Sequence, residues 1–249
     1  DARGQAQQAA GDDGSALTTY GRFSEVAPDS PIPYLRIATL RGAARNYDAA
    51  KQAFERALAI KPDLVEAQRG LVAIDLSQDR TADALARAKD VEKQRPKEAV
   101  GYVIEGDIHA SRKEWSKALA AYRPALTLSG ASDAAIKTHA VLMASGQDAE
   151  ASRMSVAWLR DHPADDAFRL SLAELAGQHK DYSGAMKYYG QLLAKQPDNA
   201  LLLNNFAWVA GKANDPRALE YAEKANQLSP DQPAILDTLG TLLVERGDD

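Results

Sequence analysis

Cysteine is absent from the 249 residues. That excludes disulfides, thiol catalysis and thiolate metal sites, and it is compatible with either a periplasmic or a cytoplasmic compartment. Aromatic residues are scarce, 6% against a hydrophobic total of 45%. A core on that diet is built from Ala and Leu, which suits close-packed helices better than a β-sandwich rich in Val, Ile and Tyr. No apolar run approaches the ~20 residues that a membrane span needs. Charge of one sign is lacking too: 30 basic residues stand against 35 acidic, net -5, with no Lys/Arg-rich run. Nucleic acid and anionic membrane surfaces are therefore not expected as partners. No P-loop, dinucleotide fingerprint or strained nucleophile turn occurs. His109, His139, His162 and His179 have no i, i+4 partner, so no metal, cofactor or catalytic site is expected. Acidic pairs such as Asp165-Asp166 read as solvated turns and helix starts. The opening "DARGQAQQAAGDDGS" reads as neither a signal peptide nor a lipid-attachment sequence.

What is present is a period. Prolines that close helical stretches stand at Pro28, Pro62, Pro96, Pro163, Pro197 and Pro230. Their spacing is 34, 34, 67, 34 and 33 residues, and the 67 divides in two if Gly130 replaces a missing proline. Between them an inner pattern recurs. Tyr34, Ala38, Ala50, Phe54 and Ala57 in one stretch correspond to Tyr102, Gly106, Ala118, Tyr122 and Ala125 in another. Leu172-Ala173, Ala185 and Tyr189 follow, then Phe206-Ala207, Ala218, Ala222 and Ala225. A 34-residue unit with these positions resembles the tetratricopeptide repeat, a pair of antiparallel helices.

The expected fold is all-α: a right-handed superhelical solenoid of such hairpins. Repeats are expected at 31–64, 65–98, 99–131, 132–165, 166–199 and 200–232, after a partial or degenerate repeat over 1–30. The closing "PAILDTLGTLLVERGDD" reads as the first helix of a further repeat, 233–249, with Gly247-Asp248-Asp249 as a turn. Its second helix is expected to be missing, which leaves residues 234–246 with an apolar face able to self-associate weakly.

Small residues have a packing role in this scheme. Ala38, Gly106, Ala173 and Ala207 let the first helix lie close to the second, and Ala50, Ala118, Ala185 and Ala218 admit the neighbours. The repeat 132–165 is the least regular. His139 occupies the tight position, Trp158 stands where other repeats have Ala, and Ser155 stands where they have Phe or Tyr. The superhelix is expected to bend or flex there. Trp115, aligned with Tyr47 and Tyr182, reads as packing.

The last third is similar to a narrower group. "VAWLRDHPADDAFRLSLAELA", "NNFAW", "DPRALEYAEKAN" and "DTLG" resemble the C-terminal repeats of TPR lipoproteins associated with bacterial PEP-CTERM/exosortase and exopolysaccharide systems. The resemblance covers roughly residues 156–249 well. It implies a periplasmic scaffold, anchored to the outer membrane in the full-length protein, that serves polysaccharide-export machinery.

Repeat arrays bind through surfaces, chiefly the concave face lined by first helices. Residues expected to project there are Leu35 and Thr39, Arg69 and Ala73, Val103 and Asp107, Ile136 and Ala140, Leu170 and Glu174, Asn204 and Trp208, and Asp237 and Thr241. From this row Arg69, Asp107, Glu174, Asn204, Trp208 and Asp237 are the candidate contacts for a protein or peptide segment. Trp208 reads either as an aromatic anchor or as a cover for its own repeat interface. The pair Asn204-Asn205 suits a peptide backbone or a sugar hydroxyl, or Asn205 ties down a neighbouring loop. A clamp for a terminal carboxylate would need convergent cations that this row lacks. The function expected is a non-catalytic interaction scaffold. The alternatives are a soluble adaptor of a chaperone or regulator, or the repeat arm of a larger glycosyltransferase.

Overall fold

In a computed structural model, residues 1–128 and 130–247 are described. Among them there are fifteen α-helices and no strand. In chain order these are α1 (Ala2–Ala9), α2 (Asp13–Val26), α3 (Pro31–Ala43), α4 (Tyr47–Ile60), α5 (Val65–Ser77), α6 (Thr81–Gln94), α7 (Val100–Ser111) and α8 (Trp115–Ala125). Then follow α9 (Ala131–Ala144), α10 (Asp148–Asp161), α11 (Asp166–Gln178), α12 (Tyr182–Leu193), α13 (Ala200–Lys212), α14 (Ala218–Leu228) and α15 (Pro233–Arg246). Asp248 and Asp249, part of the expected closing turn, lie outside the described residues. The chain divides into two compact units, 1–148 and 149–249. The division falls inside the irregular repeat, after the first residue of α10.

The period has a backbone basis. The left-handed residues inside the hairpins are Gly11, Arg45, Asp79, Lys113, Gly146, Lys180 and Asn214, each 33 or 34 positions after the last. At every one, the next residue's N–H donates to the carbonyl five positions back, as Asn46 does to Arg41 and Asp215 does to Ala210. That is a Schellman closure of the first helix, which satisfies carbonyls the helix end would otherwise leave bare. The chain then starts its next helix at once. Asp12, Asn46 and Asp181 cap it by accepting from the N–H three residues on, each cap contributing about 1 kcal/mol.

The prolines close the other end of each hairpin. Ala27–Ser30, Lys61–Leu64, Arg95–Glu98, His162–Asp165 and Gln196–Asn199 each form a four-residue turn, the last N–H donating to the first carbonyl. In each, proline is the second residue, where its fixed φ is already correct. Two connections depart from this plan. Asp231 takes positive φ after Pro230, and Gly130 takes it before α9. Ahead of Gly130, Pro124 falls inside α8, which ends at Ala125.

Packing follows the small residues. Ala38, Ala173, Ala207, Ala50, Ala118 and Ala185 are wholly buried and Ala218 nearly so. At Gly106 a methyl group would fall inside the ring of buried Tyr122, so the first and second helices touch backbone to ring. Gly70 does the same for Phe54 of the preceding hairpin. In the first unit, first helices also contact one another, α3 with α5, α5 with α7 and α7 with α9; in the second, α13 contacts α15.

The irregular positions are filled differently. Trp158 is buried, stacks on His162 with centroids 3.8 Å apart, and donates from its indole to Asp165 at 2.8 Å. It also meets Phe168 of α11, so its bulk is spent toward the following hairpin. Ser155 is buried and bonds the Tyr188 hydroxyl, so α12 supplies an aromatic group beside the small side chain. Trp115 is half-buried and packs against the cluster of Ala118, Tyr122 and Val141.

Candidate partner-binding grooves

In the first unit, a cavity of about 530 Å³ opens between α3 and α5. Leu35, Ala38, Thr39 and Gly42 form one wall, and Gly70, Ala73, Ile74 and Ser77 form the other. Tyr47 and Phe54 of α4 lie at its floor, with Arg36 and Glu66 among its lining. Such a pocket accepts an apolar side chain and offers it an aromatic contact.

The charged candidates of this unit are engaged within the chain. Arg69 lies 3.5 Å from Asp133 of α9, both about half exposed, in a second cavity with Glu98, Val100 and Val103. Asp107 accepts from the Tyr122 hydroxyl at 2.8 Å and pairs with Lys137 at 3.1 Å. Val103, expected on the open face, is a correction: it is buried against Ala99, Ala125 and Ala134. Contacts from α9 cover that part of α7.

In the second unit, Glu174 and Trp208 share a cavity of about 220 Å³ with Gly177, Gln178, Tyr189, Asn205 and Val209. Trp208 is 44% exposed, and its ring meets Tyr182 edge-on at 6.2 Å and 82°. Trp208 therefore both contacts α12 and lines the cavity. Burial and the neighbouring Glu174 charge push the Tyr189 phenol up to about 12, against a hydrogen bond from Asn205. The phenol thus stays neutral at ordinary pH.

Asn204 is a second correction. It is buried, and its carboxamide oxygen has no hydrogen-bond partner. The cause is the crowding of α13, which packs on α12, α14 and α15 and buries Leu202, Leu203, Phe206, Ala207, Val209 and Ala210. Asn205 takes the groove position instead, tied to Tyr189 on a helix, not to a loop. Asp237 is exposed on α15 and does not line that cavity. The structure thus joins Glu174 with Trp208 and leaves Asn204 and Asp237 apart. Tyr189 was legible only as a core aromatic. Its one distinguishing signal was a hydroxyl where Phe54 has none.

Two ion-pair clusters complete the polar inventory. Asp75 is buried on α5 and paired with Arg80 at 2.8 Å and Arg87 at 2.6 Å. Glu114 accepts from His109 at 2.8 Å and pairs with Lys117 and Arg112, bonds that hold its carboxyl down at about 2. Both join neighbouring helices. Among the described residues, no three His, Asp or Glu side chains gather as a metal would require. No described helix is long and apolar enough to cross a membrane.

Residues 43–103 match the tetratricopeptide repeat family model. Over that segment the chain is similar to tetratricopeptide repeats. A TPR repeat-containing protein of Pseudomonas aeruginosa is 31% identical over 91 residues, 36% of this chain and 15% of the relative. The chain therefore spans a small part of that relative. Among solved structures, yeast Tom70 aligns with a TM-score of 0.64 at 14% identity, over 94% of this chain and 52% of that one. A tetratricopeptide repeat protein from Parabacteroides merdae aligns at 0.50 and 15% identity, over 88% and 87%. At such identities the likeness is one of fold.

Proposed function

We propose that this chain is a non-catalytic tetratricopeptide-repeat docking scaffold at the bacterial envelope, serving assembly or export of exopolysaccharide and PEP-CTERM surface proteins. The observation that carries the scaffold part is the preformed cavity between α3 and α5, about 530 Å³ with a Phe54 floor. A pocket held open by rigid hairpins binds a partner segment with little ordering cost on its own side. The envelope part is supported by the resemblance of residues 156–249 to the repeats of export-system lipoproteins, and it implies an outer-membrane anchor in the full-length protein. Exposed Leu236 and Val244 on α15 support weak self-association as a secondary property.

A photo-crosslinking residue in place of Ala73, in the native bacterium, tests the whole reading. Crosslinked products are expected in the outer-membrane fraction and to contain polymer-export or surface-sorting proteins. Products confined to the cytoplasm, with a chaperone as the captured partner, would overturn the envelope assignment.

A further inference from the structure

The cavity of the second unit carries a chemical preference that the repeat itself does not dictate. Glu174 is exposed on α11 and makes no ion pair among the described residues. That contrasts with Arg69 and Asp107, which are already neutralised by Asp133 and Lys137. Lining the same cavity as Glu174 is the indole of Trp208, 44% exposed and in T-shaped contact with Tyr182. Gly177 keeps the approach clear; a methyl added there would lie 3.8 Å from the Trp208 ring. A carboxylate next to an open indole face attracts a cation twice, by direct charge and by the ring quadrupole. The wider field has the same sign. Residues 149–249 hold 10 basic and 15 acidic side chains, whereas residues 1–148 hold 20 of each. A carboxylate ligand would meet Glu174 as a like charge and be rejected.

We propose that this cavity takes the Lys or Arg side chain of an extended partner segment, with Glu174 as counter-ion and Trp208 as the stacking face. The proposal rests on the scaffold reading and deepens it, since it names the partner chemistry as a basic motif flanked by apolar residues.

The test uses the intact chain and fluorescein-labelled nine-residue peptides, Leu-flanked, with Arg, Lys, Gln or Glu at the centre. Anisotropy gives affinity, and the Trp208 indole N–H resonance reports the site. The Arg and Lys peptides are expected to bind about tenfold tighter than the Gln and Glu peptides and to shift that resonance. Glu174→Gln is expected to abolish the preference with helical content unchanged, and Trp208→Leu to weaken the basic peptides about fivefold. Asp237→Asn is expected to change nothing. Equal binding of basic and neutral peptides, or a preference that survives Glu174→Gln, overturns the proposal. So does a Trp208 shift produced by a neutral oligosaccharide and not by basic peptides. Charge-independent binding that Ala73→Trp removes would sink this proposal and leave the scaffold standing. Failure of every peptide to bind would sink both.

Discussion

Gly106 lets the α7 backbone lie against the Tyr122 ring, which any side chain at 106 would enter. Gly106→Ala should lower unfolding free energy by about 1–3 kcal/mol in urea denaturation. The same change made in a Tyr122→Leu background should cost markedly less, since the obstructing ring is gone. Equal costs in both backgrounds would show that the ring is not the obstacle. This position was readable in advance: a period of small residues is a period of close approach. The turn residues were not. Arg45, Lys113 and Lys180 adopt positive φ although nothing about a long cationic side chain selects it. The Schellman closure dictates the backbone, and the residue tolerates it. A non-glycine residue there costs about 1–2 kcal/mol and glycine returns about 0.5–1 kcal/mol in chain entropy. Lys113→Gly and Lys180→Gly should therefore each stabilise the chain by about 0.5–1 kcal/mol, visible as a higher thermal midpoint.

At the scale of one helix, α9 is the element whose identity depends on an exception. Its tight position is His139 where sister helices use Ala or Gly, and the side chain is buried. Burial disfavours the charged imidazole and holds its pKa below the ordinary 6.5. The folded chain then keeps His139 neutral over a range where the unfolded chain takes up a proton. Stability contributed by the neutral ring is present above pH 6.5 and is lost as pH falls through the lower, folded value. Urea midpoints measured from pH 8 to pH 5 should decline below 6.5, and His139→Ala should flatten that part of the curve. A slope unchanged by the substitution would assign the decline to other groups. The helix pair α9–α10 also shows where repeat-level reading stops. Alignment located the odd residues, but it did not show that Trp158 would turn toward His162 and Phe168, or that Tyr188 would reach Ser155. Those choices belong to three-dimensional neighbours from the next hairpin. The same holds for α13: its repeat positions placed Asn204 with Trp208 off the core stripe, and the packing of α12, α14 and α15 around α13 buries Asn204 and leaves Asn205 in the groove.

For the molecule as a whole, the 34-residue period made the succession of helix hairpins legible, because it follows from repetition. Binding chemistry was less so, since it depends on which groove charges are spent on the chain itself. Arg69 and Asp107 are spent; Glu174 is not. The same bookkeeping gives a contrast in salt response. The cavity over Phe54 is chiefly apolar in contact, so ligands that anchor there should bind equally well or slightly better as salt rises. Ligands held by Glu174 lie in the half of the chain that carries the whole net charge of -5. Raising ionic strength shortens the screening length from about 10 Å at 0.1 M to about 3 Å at 1 M. Titrations of basic and apolar peptides across that range should therefore diverge, the basic ones weakening about tenfold while the apolar ones hold. Parallel salt curves for the two peptide classes would mean that charge does not distinguish the grooves, and that the acidic excess of residues 149–249 serves solubility alone.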